Sequence, residues 1–124
     1  MKVYLAGGFY SDWRGQIEAA HLGFETFDPQ RDNDQSASYR FVRDDLTAIE
    51  MADFVLAFYP GGYNSHGMAA EIGYAAARHT PVYYIDTSGV PDLFLVGLAK
   101  RFFTSIEAFI DWWKDRIERG RPLP

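Results

Sequence analysis

Short apolar segments and amphipathic segments alternate along the chain. Strands are predicted where β-branched and aromatic residues cluster, in KVYLAGG, FETFDP, DFVLAFYP and PVYYID, with a fifth edge strand near KRFF. Between the strands, apolar residues recur at helical spacing, as Val42, Leu46 and Ile49 do in a helix predicted over residues 38–52. This alternation predicts one α/β domain that spans residues 1–124.

Further helices follow from the same spacing. They are predicted in SDWRGQIEAAHLGF, with Ser11 as its cap, over residues 66–78, and in SIEAFIDWWKDRIERG; SGVPDLFLVGL holds a shorter one. The polar, aperiodic stretch QRDNDQSAS predicts a surface loop. In the closing helix, Ile117 continues the apolar stripe, whereas Trp112 lies off it, which indicates an exposed ring at a subunit interface.

Five strands of this kind predict a doubly wound sandwich, flavodoxin-like or Rossmann-like, with a mostly parallel sheet in the order 2-1-3-4-5. In that order strands 1 and 3 are neighbours, and ligands bind beyond their carboxyl ends. Two Gly-rich loops occupy those ends: AGGFYSDW, with Gly7, Gly8 and Phe9, and YPGGYNSHG, with Ser65 and Gly67. The topology therefore predicts that both loops line one site.

Composition narrows the possible partners and cofactors. The net charge of −5 argues against a nucleic-acid polymer as the partner. The chain has no cysteine, and its three histidines lack metal-ligand spacing, so we expect neither a metal nor another cofactor. No apolar stretch approaches the ~20 residues that span a bilayer, and no basic leader precedes the first strand. We therefore expect a soluble, cytoplasmic protein that does not contact membranes.

Glu71 is the first candidate for chemistry, because it stands alone among small residues in the helix over residues 66–78. Helical spacing puts it one turn beyond Gly67, on the face opposite the one predicted to pack on the sheet, which comprises Met68, Ala69, Ile72, Gly73 and Ala76. A helix N-terminus near a ligand favours an ionised carboxylate, as a nucleophile requires. The alternative is a solvated acid that complements the helix dipole.

Asp45 and Tyr4 are the other candidates. Asp45 lies at the margin of the apolar stripe of its helix, where a carboxylate needs a partner or a function. An ion pair with Arg40 or Arg43 explains it equally well. Tyr4 lies within the first strand, so its ring belongs to the core while its hydroxyl could reach the site. The RDND run lacks the glycine and distal glutamate of a calcium loop, which favours a solvated loop.

Three segments resemble the nucleoside 2-deoxyribosyltransferase family, including its relatives that hydrolyse 2'-deoxynucleoside 5'-monophosphates in nucleotide salvage. They are YLAGGFY, DLTAIEMADFVLAFY and SHGMAAEIGYA. The resemblance implies that Glu71 attacks the anomeric carbon and carries the deoxyribosyl group as an ester. It also implies that Asp45 contacts and protonates the base, that Tyr4 orients Glu71, and that Gly67 and Met68 lie against the substrate.

The position six residues before the glutamate separates the branches of that family, and here it is Ser65. Nucleoside transferases tend to have an acid there, which binds the 5'-hydroxyl, whereas monophosphate hydrolases tend to have a serine, which binds the phosphate. A second phosphate-binding serine has no clear counterpart, with Ser88 and Ser105 as the later candidates. The resemblance also implies a homodimer or higher homo-oligomer in which a neighbour completes the site, with Trp112 and residues 94–103 as possible contributors.

Two other functions stay open on the sequence. The chain could be a nucleotide-binding or signalling module that keeps the crevice without turnover. It could also be a phosphoribohydrolase that acts on ribonucleotides. Convergence of Glu71, Asp45 and Tyr4 in one pocket is the requirement that the catalytic hypothesis must meet first.

Overall fold

The structure is a computed structural model that describes residues 1–9, 11–36 and 38–121. Within these residues there are five strands and six helices. In chain order they are β1 (Lys2–Gly7), α1 (Trp13–Ala19), β2 (Glu25–Phe27), α2 (Pro29–Asp32), α3 (Ser38–Met51), β3 (Phe54–Tyr59), α4 (His66–Ala77), β4 (Val82–Asp86), α5 (Leu93–Leu98), β5 (Arg101–Phe103) and α6 (Ile106–Glu118).

The strands form one sheet whose order, β2-β1-β3-β4-β5, confirms the predicted order, and every neighbouring pair is parallel. β3 is buried from Phe54 to Phe58, as its continuous apolar run predicts for a central parallel strand. The register pairs Gly7 of β1 with Phe58 of β3. The loops that follow these two strands therefore begin side by side, as the topology predicts.

Alternate residues of β1 point to opposite faces of the sheet and divide the core in two. Val3 and Leu5 pack with residues of α1 and α6. Tyr4 and Ala6 pack on the other face with residues of α3, α4 and α5. The strand period therefore places Tyr4 on the face that carries both Asp45 and Glu71.

Two local predictions near α1 and α2 are wrong. The N-cap of α1 is Asp12 rather than Ser11, and the helix ends at Ala19, before the positive φ angles of His21 and Gly23. The stretch predicted as a loop begins with the one-turn helix α2, because the Asp28 side chain accepts a hydrogen bond from the backbone N–H of Gln30 and Pro29 starts the turn.

The prediction of an exposed Trp112 is also wrong. Its ring is half-buried and packs against Tyr83 and Phe103, with ring centroids 5.2 and 5.5 Å apart. Trp112 covers the β4–β5 edge of the sheet, and the guanidinium groups of Arg101 and Arg116 lie 5.1 and 5.0 Å from its ring.

Ile117, predicted in the core stripe, is 61% exposed because α6 turns that position away from the sheet. No helix in the described part of the chain has the length and apolar character needed to cross a membrane.

Candidate active site

A cleft of about 440 Å³ lies beyond the carboxyl ends of β1 and β3, where α3 and α4 face each other. Nearly all of the site residues predicted from the sequence line it: Gly7, Gly8, Phe9, Asp45, Ser65, Gly67, Met68 and Glu71. Tyr4 is fully buried and reaches the cleft through its hydroxyl group. The structure thus brings the predicted residues into one place, and their roles remain predictions.

Glu71 lies in the second turn of α4 and is half-buried, so it is not the solvated acid of the alternative hypothesis. The Tyr4 hydroxyl donates a hydrogen bond to Glu71 Oε2. Burial raises the pKa of Glu71 to about 7; the Tyr4 hydrogen bond lowers this pKa, Asp45 raises it, and the positive charge of Arg14 lowers it. Glu71 is therefore a carboxyl group that changes its charge near neutral pH.

Tyr4 keeps its proton in this setting. Burial, followed by the neighbouring Glu71 carboxylate, raises the pKa of Tyr4 far above its ordinary value of 10.0. The Tyr4 ring stacks on Phe27 with centroids 5.6 Å apart, which fixes where the hydroxyl points. Tyr4 is thus a permanent hydrogen-bond donor to one oxygen of Glu71.

Asp45 is 9% exposed, and its partner is one that the sequence analysis missed. The side-chain amide of Asn33 donates a hydrogen bond to Asp45 Oδ1. The salt bridges among described residues include none from Asp45 to Arg40 or Arg43, so the ion-pair explanation is wrong. Burial raises the pKa of Asp45; the hydrogen bond from Asn33 and the nearby Tyr4 hydroxyl lower it. Asn33 directly follows α2. The sequence signal that could have placed it is the start of that helix, where Asp28 is the N-cap and Pro29 the first residue.

Gly7, the last residue of β1, and Gly8, which follows it, form a close-packed wall of the cleft. A Cβ added at Gly7 would lie 2.7 Å from the carbonyl oxygen of Phe58, and the φ angle of Gly7 is 149°. A Cβ added at Gly8 would lie 2.6 Å from the hydroxyl oxygen of Tyr63. Tyr63 is held in turn by Tyr59, whose hydroxyl donates to the Tyr63 carbonyl oxygen over 2.6 Å. Side chains at either glycine would therefore displace the wall.

The first turn of α4 is open to a ligand at Gly67, whereas the His66 N–H donates to Asn64 Oδ1 over 3.3 Å. Ser65 is the N-cap residue, yet its side chain makes no capping hydrogen bond among the described residues. No atom outside its own helix lies within 4 Å of a Cβ built at Gly67 in this part of the chain. Gly73 is equally open, so its predicted packing role is wrong, and α4 contacts the sheet through Met68, Ile72 and Ala75.

The remaining lining of the cleft is mostly apolar. Pro29, Phe41, Val42, Leu46 and Met68 contribute to it, which suits a flat heterocyclic ring. Among the described lining residues there is no lysine, arginine or histidine, and two are carboxylates. Ser88 and Ser105 do not line the cleft: the Ser88 hydroxyl contacts Asp86 Oδ1, and the Ser105 hydroxyl caps α6. No cluster of three or more metal-ligating side chains occurs in the described residues.

Comparisons with known proteins identify the family of the chain. The sequence model of the nucleoside 2-deoxyribosyltransferase family matches residues 3–95, a span that contains every predicted site residue. No curated protein sequence matches the chain significantly.

Solved structures of low sequence identity share the fold. The 2-deoxyribosyltransferase of Bacillus psychrosaccharolyticus has a TM-score of 0.77 at 21% identity, over 90% of this chain and 91% of that one. The 2-deoxyribosyltransferase of Leishmania mexicana has a TM-score of 0.71 at 20% identity, over 91% and 97%. The CMP N-glycosidase of Clostridium botulinum has a TM-score of 0.65 at 22% identity, over 92% and 98%.

Proposed function

Because the chain belongs to the nucleoside 2-deoxyribosyltransferase family, we propose that it cleaves the N-glycosidic bond of 2'-deoxynucleosides or their 5'-monophosphates, with Glu71 as the nucleophile. The observation that carries this proposal is the Tyr4–Glu71 hydrogen bond in a cleft that Asp45 also lines. A carboxylate nucleophile with a neighbouring proton donor is the pair that glycosidic bond cleavage with retention requires.

The first step joins the sugar to the enzyme. Glu71 Oε1, which is free of the Tyr4 bond to Oε2, attacks the anomeric carbon while the carbon–nitrogen bond breaks. The bonding electrons leave with the base, and Asp45 in its protonated form supplies a proton to the base nitrogen. The products are the free base and a deoxyribosyl ester of Glu71.

The second step releases the sugar. A nitrogen of another base or the oxygen of water attacks the anomeric carbon, the ester bond breaks, and its electrons return to the Glu71 carboxylate. The proton of the incoming group passes to Asp45, which restores the starting state. A base as acceptor makes the enzyme a transferase, and water makes it a hydrolase.

Two chemical groups are candidates for the 5' position of the substrate sugar. An uncharged 5'-hydroxyl is favoured because the described lining holds two carboxylates and no basic side chain. A 5'-phosphate is the second candidate, because the Ser65 hydroxyl, which makes no capping bond among the described residues, lies beside the N–H groups of Gly67 and Met68 at the positive end of α4.

We also propose that the enzyme is a homodimer or higher homo-oligomer. Apolar side chains at the start of α5 and just before it support this, since Val90, Leu93 and Phe94 are between 75% and 83% exposed. Sedimentation of the purified protein over a range of concentrations tests it, and a monomer at every concentration would refute it.

Chromatography of reaction mixtures tests the proposed function. The panel comprises 2'-deoxynucleosides, their 5'-monophosphates and the matching ribonucleotides, each with and without an acceptor base, for wild type and Glu71→Gln. We expect free base from deoxynucleosides or their monophosphates with wild type and none with the variant. Intact-protein mass spectrometry of wild type with substrate should detect an adduct of one deoxyribosyl group.

The other outcomes separate the alternatives. Product from ribonucleotides alone would favour the phosphoribohydrolase. Binding of nucleotides without any Glu71-dependent product would favour the binding module, and product that persists in Glu71→Gln would refute the nucleophile.

A further inference from the structure

Arg14, the second residue of α1, lies beneath the loop that forms the glycine wall and is 5% exposed. Its guanidinium group donates hydrogen bonds to the carbonyl oxygens of Gly8 at 2.8 Å, Gly7 at 3.0 Å and Leu5 at 3.1 Å. A planar guanidinium presents several donors in a rigid arrangement, which a lysine ammonium cannot reproduce. One side chain therefore fixes the end of β1 and the first part of the loop.

Arg14 also supports the aromatic residues beside this wall. Its guanidinium carbon lies 5.0 Å from the ring centroid of Phe9, which lines the cleft, and 4.7 Å from that of Trp13. The Trp13 indole N–H points to the same Gly8 carbonyl, over 3.4 Å. The backbone of Gly8 is thus held by both residues, and Phe9 is placed by contact with the cation.

A buried ion pair connects Arg14 to the opposite wall. Arg14 Nε lies 3.0 Å from Asp28 Oδ1, and Asp28 caps α2, the helix that ends directly before Asn33. Asn33 in turn holds Asp45. The Arg14–Asp28 pair therefore joins the glycine wall to the partner of the second carboxylate.

We infer that Arg14 is a positioning residue of the reaction, one that holds the glycine wall in place and supplies a buried positive charge to the two carboxylates of the cleft. This inference rests on the proposed function. The charged and titratable groups that act on Glu71 are Tyr4 from β1, Asp45 from α3 and Arg14 from α1. The positive charge of Arg14 lowers the pKa of both Glu71 and Asp45, against the larger effect of burial.

Two variants separate the two parts of this role. Arg14→Lys keeps the charge and loses the carbonyl contacts, whereas Arg14→Met loses both. Steady-state kinetics from pH 5 to 9 on a deoxynucleoside or monophosphate that wild type cleaves would give KM, kcat and the acid limb of kcat/KM. Phe109→Leu, in the core cluster on the opposite face, is the control for lost stability.

We expect KM to rise about tenfold in both variants, because the glycine wall, which lines the cleft, moves. In Arg14→Met the acid limb should also move upward, since Glu71 loses the positive charge that lowers its pKa. Arg14→Lys should keep the limb of wild type, and Phe109→Leu should lower the melting temperature without changing KM or the limb.

Other results overturn the inference. Wild-type KM and pH profile in Arg14→Met would show that Arg14 has no part in the reaction. An equal change of KM in Phe109→Leu would show a general effect of stability, and an equal limb shift in Arg14→Lys would refute the charge effect. If wild type gives no Glu71-dependent product, the proposed function fails in the parent protein, and the inference falls with it.

Discussion

The Tyr4 hydroxyl and the Glu71 carboxylate form a hydrogen bond between residues 67 positions apart in the sequence. Tyr4 belongs to β1 and Glu71 to α4, so the bond joins the sheet to the helix that covers it. Because the Tyr4 ring is fully buried and stacked on Phe27, the sheet determines the orientation of the carboxylate. The same bond stabilises the ionised form of Glu71, the form that the proposed attack on the sugar requires.

Removing this hydroxyl should slow the reaction with little change in substrate binding. We expect Tyr4→Phe to lower kcat by roughly 10- to 100-fold, because Glu71 loses both its orientation and a donor that favours its charged form. In wild type the acid limb of kcat/KM should lie near pH 7, where Glu71 ionises. In the variant it should move to higher pH, because the lost hydrogen bond lowers the pKa of Glu71. Initial rates of base release measured from pH 5 to 9 check both effects.

Tyr84→Phe is the matched control for this experiment. Tyr84 is also fully buried on the same face of the sheet, and its hydroxyl donates to Asp86 Oδ2 over 2.7 Å, outside the cleft. The control should keep wild-type rates within about twofold. Equal losses in both variants would contradict a specific role for Tyr4.

The ionisation of Glu71 should also make the stability of the folded protein depend on pH. The pKa of Glu71 is about 7 in the folded protein and ordinarily 4.5, so the folded state binds the proton more tightly than the unfolded chain does. The stability that this provides is fully present below about pH 4.5 and is lost as the pH rises through 7. The Glu71→Gln side chain stays neutral at every pH. The free energy of unfolding of the variant minus that of wild type should therefore be larger above pH 7 than at pH 4.5, by up to about 3 kcal/mol.

Urea unfolding of both proteins between pH 4 and 8 measures this difference. The free-energy gap between variant and wild type should open between pH 4.5 and 7 and stay constant above that range. A gap that does not change with pH would mean that Glu71 ionises at its ordinary pKa and that the cleft does not perturb it.

Asn33 should act on the other carboxylate. We expect Asn33→Ala to lower kcat by about tenfold, since Asp45 loses the contact that orients it. The hydrogen bond from Asn33 lowers the pKa of Asp45, so its loss should raise that pKa and shift the part of the pH profile that Asp45 governs to higher pH. Tyr4→Phe acts on the pKa of both carboxylates, whereas Asn33→Ala leaves the Tyr4–Glu71 bond intact and should not move the acid limb, so the profiles distinguish the two variants.

Asp34→Ala is the control for Asn33→Ala, because it changes the next residue, which is exposed, accepts a hydrogen bond from the Ser36 backbone and does not line the cleft. Wild-type kinetics are expected for it. A pH profile of Asn33→Ala that matches wild type would argue that Asp45 is not the group that protonates the base.

The strand order could be predicted because continuous apolar runs identify central parallel strands. Once β1 and β3 are neighbours, their carboxyl ends meet, and the loops with Gly8 and Ser65 must share a site. Asp45 could be predicted as a candidate because it breaks an apolar stripe. These predictions depend on strand and helix periods and on topology, which the sequence displays directly.

Features that depend on side-chain contacts between distant segments could not be predicted in this way. Asn33 reaches Asp45 because a single helical turn follows Asp28, and one turn is too short to give a periodic signal. Trp112 is covered because the sheet edge and the guanidinium of Arg101 meet its ring, which the helical period of α6 does not reveal. The same holds for Arg14, whose acceptors are backbone carbonyls that carry no sequence signal.

Gly8 gives the most direct test of the glycine wall. Its backbone needs no unusual φ angle, but a Cβ would lie 2.6 Å from the Tyr63 hydroxyl and 2.7 Å from its ring carbons. Gly8→Ala should therefore push Tyr63 or the loop into the cleft and raise KM by about tenfold, with a smaller effect on kcat.

Gly97→Ala in α5 is the control, because no atom outside its helix meets a Cβ there among the described residues, and it should leave the kinetics unchanged. If Gly8→Ala keeps the wild-type KM, the loop and Tyr63 accommodate the added methyl group, and substrate binding does not depend on the shape of the glycine wall. If the double variant Gly8→Ala with Tyr63→Ala recovers part of the lost affinity, the clash between these two residues is the cause.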